Sequence, residues 1–381
     1  MTDLFCAAGL GGRGAGRRLG DPPRQRPSRR RRWMALCAAA TLLLGACGDS
    51  SPPGQSDGGG DGPGNGDATV PGTGGGEFTG LTALGQKVSS PFDATPDPDG
   101  NKVYYTAIIP AADDASDPEG ALFVVEAGKA PVMLAKGFIS PVQLVVSSDG
   151  STIYVADAGN DGAADQDTET QPGVVYSVPA AGGTPQELAG TRGYFPRGLD
   201  LVKENDEDVL YISGTDKDGV SGVWKTSTAG SNLTAVATGA PLNDPSGVAT
   251  TKTGVTYVAD TLAANSGAAI LKIENGKVEV LSEGIRVGYP AGIALSADEK
   301  YLLVSALQPE IASAVVYRID LATGDASEFS SGISENTESA GVHRAHNADR
   351  YAWANSDDPD GDGSGGGTVF LIGTKAAPLK P

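Results

Sequence analysis

Six consecutive residues, Asp358-Pro359-Asp360-Gly361-Asp362-Gly363, alternate carboxylates with rigid or small residues and end on glycine. Hard oxygen ligands in the order D-x-D-x-D-G open a calcium loop, in which the glycine permits the sharp turn. The twelfth position holds Val369, where a bidentate Glu would complete such a loop. A second stretch, running from Asp157 through Asp161 to Asp165, ends on an acid but places Gly159 at its third position. Asp157, Asp161, Asp165, Asp358, Asp360 and Asp362 are therefore candidate weak calcium ligands, calcium being the only cofactor this sequence suggests. The competing expectation is an acidic, solvated loop without ordered metal.

The two histidines, His343 and His346, stand three positions apart. On a strand that spacing points them to opposite faces, so a shared metal is not expected and His343 reads as a satisfied interior residue. No Gly-x-Ser-x-Gly elbow, Walker loop or His-Glu-x-x-His occurs. All three cysteines, Cys6, Cys37 and Cys47, lie in the first 47 residues. The rest of the chain has no cysteine for disulfides, thiolate metal sites or thiol catalysis.

The charge is divided just as sharply. Nine Arg and only two acids, Asp3 and Asp21, precede Cys47, which leaves 19 basic and 45 acidic side chains beyond it. A surface that acidic repels phosphate backbones, so no nucleic-acid partner is expected. The basic block Arg29 to Arg32 is followed by an apolar run from Trp33 to Leu44 and then Gly45-Ala46-Cys47. That order is a secretory signal, and the run is shorter than the roughly 20 apolar residues of a spanning helix. Leu44-Gly45-Ala46-Cys47 resembles the lipobox of bacterial lipoproteins. The resemblance implies that Cys47 is acylated and becomes the mature N-terminus, held to the membrane by lipid. Gly48 follows the cysteine, which by analogy with enteric lipoproteins favours the outer membrane of the cell envelope. From Gly48 to about Gly76 the chain is nearly devoid of apolar side chains and reads as a flexible tether.

The elements that must position any site follow from an internal repeat. Beginning at residue 91, one word recurs about every 45 to 55 residues: proline, any residue, a small or polar residue, an apolar one. Its copies open at Pro91, Pro141, Pro196, Pro245 and Pro290, with a degenerate sixth at Ser339. Each is followed by a polar turn and a short run rich in β-branched and aromatic residues, such as Ile153-Tyr154-Val155-Ala156-Asp157 or Thr256-Tyr257-Val258-Ala259-Asp260. Such runs bounded by Gly, Pro, Asn and Asp are strands, and this period is that of propeller blades. The reading is an all-β, six-bladed β-propeller. Its sixth copy ends after a third strand, and Leu81-Thr82-Ala83-Leu84-Gly85, ahead of the first word, is expected to pair with Val369 to Ile372 and close the ring. The organisation is thus a signal peptide with an extended basic region over 1–46, the lipidated cysteine and linker over 47–77, the propeller over 78–375 and a tail over 376–381.

The Pro-x-Gly-apolar and Tyr-Val-Ala-Asp words resemble those of NHL-repeat propellers and the related gluconolactonase, or senescence-marker, group, over residues 78 to 374. In that fold group the loops entering the first strand and leaving the second share the face that carries the site. The resemblance therefore implies Phe92, Asp93, Gln143, Asp157, Arg197, Asp260 and Tyr289 as ligand-face candidates. The alternative for these residues is that the aromatics pack blade edges and the acids cap turns. The gluconolactonase-like group holds a divalent cation through a Glu on the first inner strand. Here Pro91-Phe92-Asp93 has no Glu, and only Asp93 could take that place. The expected function is a tethered binding or scaffolding module for a protein or small-molecule partner rather than catalysis. A metal-assisted lactonase or ester hydrolase acting on the same face is the alternative.

Overall fold

Each repeat word folds as the innermost strand of a four-stranded antiparallel sheet, and six such sheets form the ring of the computed structural model of the protein. The structure describes residues 78–111, 118–160, 171–263, 267–288, 291–307, 314–328, 338–357 and 365–375. Cys47 with the expected signal and linker, Tyr289, Asp161, Asp165, Asp358, Asp360, Asp362 and residues 376–381 lie outside the described residues.

Strands follow one another outward from the axis. The first blade comprises Pro91–Pro96, Lys102–Ile109, Glu119–Glu126 and Val132–Phe138, and the second Pro141–Val146, Thr152–Asp157, Val174–Pro179 and Gln186–Glu187. The third runs through Phe195–Glu204, Glu207–Thr215, Ser221–Ser227 and Thr234–Thr238, the fourth through Pro245–Thr250, Thr256–Asp260, Ala269–Glu274 and Lys277–Glu283. Ile293–Leu295, Tyr301–Leu307, Ala314–Asp320 and Ala326–Glu328 make the fifth. Among the described residues the only helical element is a 3-10 turn at Ala189–Thr191, and no helix is long and apolar enough to cross a membrane. Burial explains the composition of the strands. Pro141–Val146, packed between blades, is buried at every position, whereas the peripheral Lys277–Glu283 is exposed or half-buried throughout.

The sixth blade closes the circle. Glu338–Arg344, Tyr351–Asp357 and Gly366–Thr374 come from the C-terminal end of the ring, and the fourth strand, Phe78–Ser89, comes from its N-terminal end. Leu81 lies opposite Ile372 and Leu84 opposite Val369, the pairing read from the sequence. Leu84 and Val88 are buried with Ala94, Val103, Tyr105, Ala354 and Val369, so the closing strand adds apolar surface shared with the first blade. Closure leaves the sixth sheet no unpaired edge on its Gly366–Thr374 strand.

The third position of the repeat word decides how closely blades approach at the axis. It is Gly198, Gly247, Gly292 and Gly341 in the last four blades. A Cβ on Gly198 would run into the carbonyl oxygen of Ser246 in the next blade, and one on Gly341 would collide with the Asp93 carboxylate. Glycine is required there because neighbouring atoms occupy the space of a side chain. The first two blades carry Asp93 and Gln143 instead, and these side chains reach the neighbouring strand themselves.

Candidate functional site

The innermost strands carry buried polar side chains that bond between blades. Gln143 is fully buried. Its Nε2 donates to the carbonyl oxygen of Ala291 at 2.9 Å, and its Oε1 accepts the N–H of Leu199 at 2.9 Å. Second and fifth blades are thereby joined across the ring. Asp93, also 0% exposed, accepts the N–H of Leu144 through Oδ2 at 2.8 Å, and the same oxygen lies 2.9 Å from Nε2 of His343. Two positions further along the third and sixth words are Asp200 and His343. Asp200 is half-buried and accepts the N–H of Thr250 in the next blade at 2.6 Å. Burial pushes its carboxyl above the usual range, while the Thr250 N–H and the charges of His343 and His346 pull the other way. Burial by itself would lower the His343 imidazole, but the charge and hydrogen bond of Asp93, with the charge of Asp200, hold it above its ordinary value.

Sequence reasoning named Asp93 and Gln143 as ligand-face candidates, and the structure buries both side chains completely. Both lie at the bulge where the inner strands converge, and both are committed to the backbone of adjoining blades. The Asp93 oxygen that would replace the cation-binding Glu of the gluconolactonase-like group is already shared between Leu144 and His343. The expectation for the histidines is corrected in part. His343 is an interior residue, 6% exposed, but His346 does not point away from the same neighbourhood. The strand ends at Arg344 and the chain turns, so that His346 Nε2 donates to the carbonyl oxygen of Val146 at 2.7 Å, and both rings act on Asp200.

The acids ending the Tyr-Val-Ala-Asp words cap loops. Asp157 accepts the N–H groups of Ile139, Ser140 and Gly159 at 2.8 to 2.9 Å. Asp260 accepts those of Asn243, Asp244 and Leu262. Each lies opposite the proline of its own word, so the carboxylate ties the loop entering the blade to the loop leaving its second strand. Asn355, opposite Ser339, holds the same place in the sixth blade. Burial raises the Asp157 and Asp260 carboxyls against the pull of these N–H donors.

Around the mouth of the ring the side chains are different in kind. Phe92 and Arg197, second residues of the first and third words, are half-buried. Arg197 forms an ion pair with Asp244, which also accepts the Thr261 hydroxyl. On the loops of the third and fourth blades Val220 is 40% exposed and Leu262 52% exposed. Ser221 donates its hydroxyl to the carbonyl oxygen of Asn243 at 2.7 Å, and Asn243 Nδ2 donates to that of Leu262 at 3.2 Å. These bonds knit the loops of the third and fourth blades into one surface. Sequence reasoning named Phe92 and Arg197 but missed Asp200, Asp244, Val220 and Leu262. Asp200 had a signal: the same column elsewhere reads Thr95, Val145, Ala249, Ala294 and His343, and a carboxylate there is out of place. Val220 and Leu262 had none, because only the loop conformations leave them uncovered.

Among the described residues no three His, Cys, Asp or Glu side chains gather as a metal-holding group. The acidic loops containing Asp358 and Asp161 fall outside the described residues.

No protein-family model matches the chain, and no curated protein matches it. Solved structures do. The PQQ-bound aldose sugar dehydrogenase of Streptomyces coelicolor is similar over 79% of this chain and 98% of its own, at 14% identity and a TM-score of 0.56. A TolB candidate from Agrobacterium tumefaciens is similar over 77% of this chain and 91% of its own, at 13% identity and a TM-score of 0.47. Hydrazine synthase of Kuenenia stuttgartiensis is similar over 78% and 90%, at 14% identity and a TM-score of 0.46. At this identity the likeness is one of fold.

Proposed function

We propose that the chain is an envelope lipoprotein, anchored through lipid on Cys47, whose NHL-like propeller is a binding or scaffolding module that meets a protein partner on the rim around Arg197. Outer-membrane placement, inferred from Gly48, belongs to the same reading, as does calcium held by the Asp358 and Asp161 loops.

The supporting observation is the division of the Arg197 face. Gln143 is bonded at both ends to protein, while Val220 and Leu262 stand exposed on the loops of the same two blades as the half-buried Arg197–Asp244 pair. Apolar side chains beside an arginine, ringed by polar groups, are the make-up of a protein-binding surface.

Metabolic labelling with a fatty-acid probe tests the anchor. Cys47→Ser should abolish labelling and move the folded protein out of the membrane fraction, and unchanged membrane attachment would refute it. Photo-crosslinking from position 262 in intact envelopes tests the rim, with a discrete adduct expected that Arg197→Glu removes. Reproducible turnover in a lactone and aryl-ester screen with calcium, manganese and zinc would replace the binding reading with the hydrolase alternative.

A further inference from the structure

The first and last blades meet at a seam unlike the other junctions, because the ring is closed there by chain segments from its two ends. Several polar contacts cross it. Ser90 and Ser356 share a hydrogen bond at 3.2 Å, the Asn347 N–H donates to the carbonyl oxygen of Pro98 at 2.8 Å, and Arg350 donates to that of Gly100 at 3.1 Å. Deeper in the ring, His343 and Asp93 join two ionisable groups at 2.9 Å, with both side chains buried. We propose that this pair is an acid-strengthened latch, holding the last blade to the first while His343 carries a proton.

The surroundings of His343 favour the charged ring. Asp93 reaches it from the first blade, and Asp200 acts on it from the third. His346, on the turn beyond its own strand, spends Nε2 on Val146 and acts on Asp200. In the fifth blade, Ile293–Leu295 is apolar, Arg318 lies over the Tyr301 ring at 3.5 Å, and Asp320 caps Ala322 and Thr323. Within the sixth blade, Arg344 donates to the carbonyl oxygens of Leu295 and Ala345, and the Tyr351 hydroxyl to Asp349. Loss of the proton would leave Asp93 and Asp200 in the interior without their imidazolium, and removing one member of a buried charge pair is strongly destabilising. His343 is held above its ordinary value, so the pair contributes its full stability below the usual imidazole range. That stability is lost as pH rises through the folded-state value.

The test uses the full chain and does not depend on what the rim binds. With only two histidines present, His346→Gln leaves one imidazole, and ring nitrogen NMR follows His343 alone. His343 should titrate above the range of a free imidazole, and Asp93→Asn should lower its proton affinity by about tenfold, one pH unit. The Tm of the unmutated protein should fall by several degrees between about pH 6 and about pH 9, and His343→Gln should remove most of that fall. A ring that titrates at or below the free-imidazole range, or equal falls in Tm for both proteins, would overturn the latch. If His343→Gln does not fold, the NMR titration decides alone.

Discussion

Gln143 and Ala291 stand 148 residues apart in sequence, yet the amide of one donates to the carbonyl oxygen of the other at 2.9 Å across the centre of the ring. The same side chain accepts the Leu199 N–H, so one residue ties the second, third and fifth blades together. A crossbar of this kind is a structural device, and it commits both ends of the Gln143 amide to the backbone of other blades.

Gln143→Ala should be destabilising out of proportion to its size. It strands a buried carbonyl at Ala291 and a buried N–H at Leu199, each costing about 1–3 kcal/mol, or about 2–6 kcal/mol together. Denaturant unfolding measures the loss. A change within about 0.5 kcal/mol, as for an ordinary surface substitution, would mean that the crossbar carries no load.

Deleting residues 78–88 should destabilise the propeller far more than deleting residues 50–70. The first deletion removes Leu84 and Val88 from the seam, worth about 1.5–3 kcal/mol each, and reopens the edge of Gly366–Thr374. The second removes polar residues ahead of the ring and should leave the Tm unchanged. Thermal unfolding of the two deletion proteins is the comparison, and equal midpoints would refute ring closure by the N-terminal strand.

Calcium at the Asp358, Asp360 and Asp362 loop should raise stability by mass action, by about 2.7 kcal/mol when calcium is a hundredfold above its dissociation constant. Millimolar calcium is expected to raise the Tm more than magnesium, which demands tighter geometry and gives up water reluctantly. Replacing the three acids with Asn should remove most of the increment, and the same replacement at Asp157, Asp161 and Asp165 examines the second loop. A response equal to an ionic-strength control in the unmutated protein would leave these carboxylates as solvated surface.

The sequence by itself determined the ring. Strand runs such as Ile153 to Asp157 and Thr256 to Asp260 carry their conformational preference locally, and the repeat word marks where each blade begins, so six blades could be counted without coordinates. The closing pair of Leu81 with Ile372 was legible because a missing fourth strand at one end matched a surplus strand at the other. What meets at the axis was not legible. Asp93 and His343 are 250 residues apart, and whether they touch depends on the angle through which successive blades turn and on how near the glycines at 198, 247, 292 and 341 let them come. The same holds for Asp157 and Asp260, whose type suggested ligand contact or capping alike, until the fold brought three backbone N–H groups to each. Strand pattern is local and survives in one dimension. The partners of a buried polar side chain are set by the packing of distant segments, and only the tertiary structure decides them.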